Sequence, residues 1–433
     1  MNADIRAIRT PAEQALSAAF AAARASLPGK GAVAKLREAA FQRFDAAGLP
    51  HRRVEEWKYT DLRALMRDAK PLAEAAAQKG SVPALANVDA DTVAIVNGRF
   101  EGGWSNLKPA PNIEISELFD FAANQSAYRL GEVPGNDDIA VSLNAAFMSG
   151  GVAVRVGKGG SAAKPLHLAH IFAGKTAAAM YPRSIVIVEA GATLTLIESF
   201  SGPAGLDYQV NSALELVIGE GARVEHVRIG QDGDTALRIS TMGVTVDAGA
   251  SYNDFTFTTG GAVVRNQCFV RFGGERTHAS IGGATLIRGR QHVDNTLVID
   301  HAAGGCESRE RFRSVLDGES HGVFQGKIIV EPHAQKTDAK MASHALLLSD
   351  EAEADNKPEL EIFADDVQCG HGATTGALDR GLKFYLMSRG ISDKEAEALL
   401  IRAFAGEAID QIADENVREL VMGAAIVWLE ARG

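Results

Sequence analysis

A small glycine turn recurs between short β-forming runs in the middle of the chain, and it restricts the possible folds more than any other feature. The turn occurs as EAGAT, GEGAR and DAGAS, around Gly191, Gly221 and Gly249. Glycine enters the left-handed backbone region that such turns require at little steric cost. A β-rich repeat with turns at this regular spacing predicts a solenoid, in which each repeat stacks on its neighbours.

The residues from about 140 to 368 form short runs in which Val, Ile, Leu and Ala alternate with Thr, Arg, Glu and Ser. Examples are GVAVRVG and ALELVIGEGARVEHVRI. The alternation predicts strands with one face inside and one face outside. Because turns rather than helices separate the runs, a parallel β-helix is favoured over leucine-rich and helical repeats. A β-sandwich remains the alternative at this point.

Helical segments flank the β-rich region. Thr10 and Glu13 form a capping box at the start of a first helix, and a second helix is predicted from 32 to 47. Thr60 is able to cap the short helix that follows this residue. Asn97-Gly98 predicts a hairpin.

The carboxyl-terminal part of the chain is predicted to be helical from about 375 onward. One helix ends at Gly390, a capping box at Ser392 and Glu395 begins the next, and an amphipathic helix ends the chain. We therefore predict a mainly β chain with three domains: an N-terminal helical domain (1–130), a β-helix core (131–370) and a C-terminal helical domain (371–433).

Composition excludes several classes of protein. The formal net charge of −11 disfavours a nucleic-acid binder, which needs basic residues to neutralise phosphates. No apolar run is long enough for a transmembrane helix, and charges near the first residues argue against a signal peptide. The three cysteines include no C-x-x-C pair, which is typical of a reducing compartment, so we expect a cytoplasmic protein.

The segment DDVQCGHG contains the most suggestive pair of chemical groups, Cys369 and His371. Residues two apart on a strand point to the same face, so the thiol and the imidazole could bind one soft metal ion. Two ligands cannot complete a tetrahedral site, so any metal would be shared with another donor. A packed thiol beside a hydrogen-bonded histidine is the structural alternative.

Other polar residues between 292 and 371 give weaker indications. His321 and His344 could share a row of the solenoid if one coil spans their spacing, and two unrelated surface histidines are the alternative. Cys268 lies in a strand pattern and is predicted to be a core residue, whereas Cys306 follows two glycines and is a weak candidate for a reactive thiol. His292 and His301 are interpreted as surface or hydrogen-bonded histidines rather than as ligands. The chain has neither a G-x-x-x-x-G-K-[ST] loop nor a G-x-S-x-G elbow.

The stretch from 315 to 374, VLDGESHGVFQGKIIVEPHAQKTDAKMASHALLLSDEAEADNKPELEIFADDVQCGHGAT, resembles the SufB/SufD family of iron–sulfur cluster assembly scaffolds. EEWKYTDL near residue 55 and FYLMSRGISDKEAEALLIRAFAGE at 384–407 are also similar to this family. Gly372 stands where the SufB branch has a glutamate, which favours the SufD branch.

The resemblance implies a right-handed parallel β-helix flanked by helical domains. It implies a non-enzymatic subunit that pairs with SufB through the β-helix and with the ATPase SufC through the C-terminal helices. A transient iron–sulfur cluster would be shared with SufB, and Cys369 and His371 would take part in its assembly. Flavin binding, the source of iron, and self-pairing of the isolated chain are left open.

Two alternatives remain at the level of sequence. A stand-alone β-helix enzyme acting on acidic polysaccharides would need carboxylates for Ca²⁺ and a basic residue, for which Asp294, Asp300 and Arg309 are available. A purely structural partner of SufB would contribute no ligand at all.

Overall fold

The fold was analysed in a computed structural model that describes residues 9–76, 80–108, 110–124 and 130–432. The first eight residues, on which the signal-peptide prediction partly rests, lie outside the described residues. None of the described helices has the length and apolarity that a bilayer crossing requires.

Two long sheets, each of ten strands within the described ranges, form the centre of the molecule. Strands of the first sheet are β1 (Asp91–Val96), β2 (Arg99–Phe100), β5 (Leu166–Ile171), β8 (Thr193–Ser201), β10 (Arg223–Gln231), β12 (Ser251–Thr258), β14 (His278–Ile287), β16 (Glu307–Leu316), β18 (Asp338–Leu347) and β20 (Gln368–Ala377).

The second sheet alternates with the first along the chain. Its strands are β3 (Ile113–Glu117), β4 (Val152–Val156), β6 (Ala179–Met180), β7 (Arg183–Val188), β9 (Gln209–Ile218), β11 (Leu237–Val246), β13 (Val263–Phe272), β15 (His292–His301), β17 (His321–Val330) and β19 (Glu353–Ile362).

From β4 to β20 successive long strands alternate between the two sheets, and each pairs in parallel with its equivalent in the next coil. Arg223 of β10, for example, pairs with Thr193 of β8 on one side and with Ser251 of β12 on the other. This stacking is a parallel β-helix, so the predicted β-helix core flanked by helices is confirmed. The predicted domain boundaries at 130 and 370 stay predictions, since strands of the sheets occur on both sides of them.

The turns explain the glycine repeat. Gly191, Gly221 and Gly249 have φ angles of 67°, 64° and 64°, in the region where a Cβ atom causes strain. The Asn97-Gly98 hairpin is likewise confirmed, with both residues at positive φ between the antiparallel strands β1 and β2.

Apolar side chains from both sheets fill the lumen between them. Leu196, Leu216, Val244 and Ile299 are fully or almost fully buried in this core, as the alternating pattern predicts. Burial of this kind contributes roughly 25 cal/mol per Å² of apolar surface and is the main source of stability in a stacked solenoid.

Eight α-helices occur in the described part of the chain, besides a short 3-10 helix at Glu55–Trp57. They are α1 (Pro11–Ala23), α2 (Ala32–Ala47), α3 (Leu62–Leu65), α4 (Leu118–Asn124), α5 (Ile139–Phe147), α6 (Arg380–Ser388), α7 (Asp393–Ile409) and α8 (Glu415–Glu430). The capping boxes at Thr10 and Ser392 are both present. The helices α1, α2 and α5 pack on the outer face of the second sheet, and α7 and α8 pack on that of the first.

Two local predictions are wrong. Asp61, not Thr60, caps α3, because its carboxylate accepts the amide of Ala64 while the Thr60 hydroxyl faces the second sheet. The helix predicted from about 375 begins only at Arg380, since Gly376 and Ala377 still pair with β18.

Candidate functional site

Cys369 and His371 lie on β20, the last strand of the first sheet. Their register partners on β18 are Ala339 and Met341, and both of those side chains belong to the lumen core. Paired residues in parallel strands point to the same face, so Cys369 and His371 also face the lumen. The same-face arrangement predicted from their spacing is therefore present.

This pair lies where the solenoid ends. No described strand pairs with the outer edges of β19 and β20, the terminal strands of the two sheets. His371 is exposed, whereas Cys369 is half-buried and packs against the core. Burial raises the pKa of the Cys369 thiol, and the nearby carboxylates of Asp338 and Glu310 add to this. The isolated chain thus keeps a protonated thiol beside an accessible imidazole.

Glu310 occupies the same inward row two strands deeper, and the sequence analysis missed it. Met341 lies between Glu310 and His371 in the register, and Ile281 lies on the other side. Glu310 is fully buried, and neither carboxyl oxygen has a hydrogen-bond partner among the described residues. Burial raises its pKa to about 8, so it is largely uncharged at neutral pH. The sequence contained one indication of this: inward and outward residues alternate along β16, and Glu310 falls at an inward position.

A second buried polar group lies farther inside the lumen. His226 contacts Glu198 at 3.1 Å and Asp254 at 3.2 Å, and Glu198 also contacts His170 at 3.1 Å. Burial opposes ionisation of Glu198, but the hydrogen bonds from His170 and His226 outweigh it and lower the pKa of this carboxyl. Arg228 completes the group through Asp254 at 3.2 Å. These charges compensate one another, as buried ions must.

The structure separates the other predicted residues. His321 and His344 do not share a row, because β17 and β18 belong to different sheets; His321 faces His292 on β15 instead. Cys306 is fully buried, and burial raises its pKa, so the weak prediction of a reactive thiol is wrong. Cys268 is a core residue, as predicted. His301 is buried and contacts the Ser308 hydroxyl at 3.0 Å.

The residues considered for a polysaccharide enzyme do not form one site. Asp294 is buried in an ion pair with Arg265, while Asp300 pairs with Arg271 at 2.5 Å. Arg309 lies on the other sheet and pairs with Asp338. Within the described ranges, no three His, Cys, Asp or Glu side chains converge closely enough to hold a metal ion.

Comparison with known proteins agrees with the resemblance in the sequence. The family profile described as "SUF system FeS cluster assembly, SufBD core domain" matches residues 170–404, and the "SufBD protein N-terminal region" matches 12–168. A SufBD family protein of Synechocystis is 31% identical over 398 residues, which cover 87% of this chain and 86% of that protein.

The chain belongs to the SufBD family of iron–sulfur cluster assembly proteins. The SufD protein of Escherichia coli is 28% identical, with 88% of this chain and 90% of that protein covered. The chloroplastic protein ABCI7 of Arabidopsis thaliana is 25% identical, with coverages of 89% and 84%. The aligned regions cover most of both relatives.

Proposed function

We propose that this SufBD protein is a SufD-type subunit, which helps to build an iron–sulfur cluster together with a SufB-type partner. The observation that carries the proposal is the position of Cys369 and His371, which share one face of the last, open coil. A thiolate and an imidazole are suitable ligands for iron, but two ligands leave room for donors from a second subunit. The cluster is cargo that is assembled there and released.

The open end supports pairing with another subunit of similar fold. No strand within the described ranges pairs with the outer edge of β20, and most of its side chains are exposed. Ile362 at the end of β19 and Phe363 directly after it are exposed apolar residues, with Phe363 61% exposed. Unpaired strand edges and exposed apolar side chains are features that a docked partner covers.

The carboxyl-terminal helices support docking of an ATPase of the SufC type. Helix α6 has no buried residue, and its apolar side chains Leu382, Phe384, Tyr385 and Met387 are all exposed. In this proposal the ATPase drives the conformational work, and the present chain acts without catalysing a reaction, in the cytoplasm.

The test is co-purification with the SufB-type and SufC-type subunits, followed by anaerobic measurement of iron and acid-labile sulfide. His371→Ala is expected to form the complex but to lower its cluster content at least tenfold, since it removes one ligand from an exposed site. His278→Ala, an exposed histidine on the outer face of β14, is the matched control and should keep normal cluster content. Equal cluster content in both variants would mean that the chain is a purely structural partner.

A further inference from the structure

Residues 55–61, the strap, cross the outer face of the second sheet over its last four coils. The Glu56 carbonyl accepts hydrogen bonds from Arg265 of β13 at 2.6 Å and from Gln325 of β17 at 3.3 Å. Glu55 pairs with Lys357 of β19 at 2.5 Å. The strap therefore connects the amino-terminal helices to the terminal strand of this sheet.

Four hydrogen bonds run along this face from the strap to β19. The Thr60 hydroxyl donates to Asp294 and lies 2.9 Å from His292 Nε2. His292 Nδ1 lies 3.2 Å from His321 Nδ1, and His321 Nε2 lies 2.8 Å from the Asp355 carboxylate. Each contact needs one proton between its two heavy atoms.

The four contacts together need four protons, one more than Thr60 and two neutral histidines supply. Thr60 supplies one proton, which goes to Asp294, and Asp294 is held as an acceptor by Arg265. His292 is partly buried, and desolvation lowers its pKa to about 4, so it is neutral and supplies one proton to Thr60. The remaining two contacts both require N–H groups of His321. Only an imidazolium has two.

We propose that protonated His321 is a clamp that fastens the strap to the terminal strand β19. A neutral His321 has one N–H, so one of the four hydrogen bonds is lost. Either the contact to Asp355 fails, or the tautomers reverse and Thr60 no longer donates to Asp294. The charged groups facing this position are Asp294 on β15, Arg265 on β13, and Glu353 and Asp355 on β19.

The clamp acts close to the open end of the solenoid. Asn356, next to Asp355, points into the lumen and contacts the hydroxyls of Ser343 on β18 at 2.7 Å and Thr375 on β20 at 3.4 Å. Strand β20 also contains Cys369 and His371. A weaker attachment of β19 therefore also weakens the contacts of β20, the strand that contains the candidate site. In this proposal, protonation of His321 stabilises the last coil.

Hydrogen–deuterium exchange of the isolated full-length chain tests the clamp. Histidine changes charge between about pH 5 and 8, so peptides covering 353–362 and 55–61 are followed from pH 6 to 8.5, corrected for intrinsic exchange. The wild type is expected to lose at least threefold protection in both peptides as the pH rises. His321→Phe, which keeps a ring but has no N–H, should exchange quickly at every pH. Asp355→Asn should also lose the pH dependence.

His278→Phe provides the matched control, because His278 is an exposed histidine that pairs with a carboxylate, Glu307, at 3.5 Å away from the strap. It should behave like the wild type in both peptides. The proposal is overturned if His321→Phe retains wild-type protection at pH 6, or if the wild type shows no pH dependence in these peptides. No partner or iron is present, so the outcome is independent of the cluster-assembly test.

Discussion

At the scale of single residues, the lumen of this β-helix contains a few buried ionisable groups among its apolar side chains. These groups differ in whether they have polar partners. Glu198 and Asp254 are compensated by histidines and Arg228. Glu310 is fully buried, and neither of its carboxyl oxygens has a hydrogen-bond partner among the described residues. An unpaired carboxyl in an apolar row costs stability whenever it ionises, so this residue contributes a pH-dependent penalty.

Substituting Glu310 by Gln should therefore stabilise the chain, and more so at higher pH. The pKa of Glu310 is raised to about 8, so the folded chain holds a proton that the unfolded chain releases above its ordinary pKa of 4.5. Stability then falls as the pH rises from about 4.5 to 8, by a total on the order of 4 kcal/mol. Urea unfolding at pH 5 and at pH 8.5 measures this directly.

The expected difference between Glu310→Gln and wild type is small at pH 5 and several kcal/mol at pH 8.5. Glu307→Gln is the control, since Glu307 lies on the same strand with its side chain exposed to solvent. A stability difference that does not change with pH would contradict the assigned burial of an unpaired Glu310.

At the scale of elements, period-two alternation and glycine turns predicted most of the solenoid, because both follow from local backbone geometry. Thr60 was wrongly predicted to be a helix cap, because its actual partners, His292 and Asp294, lie more than 230 residues away in sequence. The start of α6 was placed too early for a similar reason: pairing with β18 keeps Gly376 and Ala377 extended despite their position before a helix.

Helix α6 has the surface expected of a docking element, and substitution of one side chain tests this. Phe384 is 73% exposed, so Phe384→Asp should leave folding intact while abolishing co-purification with the SufC-type ATPase. Lys394→Asp, an exposed change at the start of α7, should have no such effect. If Phe384→Asp still co-purifies at wild-type yield, the ATPase docks elsewhere.

At the scale of the whole molecule, one end of the β-helix is open and carries the candidate site, while helices cover the outer faces of both sheets. The sequence predicted Cys369 and His371 because both lie in one short strand. It could not predict that Glu310 lies two strands behind them or that His321 faces His292, since the register between coils depends on loop lengths. Family membership agrees with this architecture, and the site itself stays a proposal.

The most direct test of the central proposal is the alkylation of cysteines, followed by mass spectrometry, in the isolated chain and in the assembled complex. Cys268 and Cys306 are buried and should stay unmodified in both, which makes them internal controls. Cys369 is half-buried at the open end and should be alkylated in the isolated chain but protected at least tenfold in the complex. Unchanged reactivity of Cys369 in the complex would contradict the assignment of the open end as the place where the partner docks and the cluster is built.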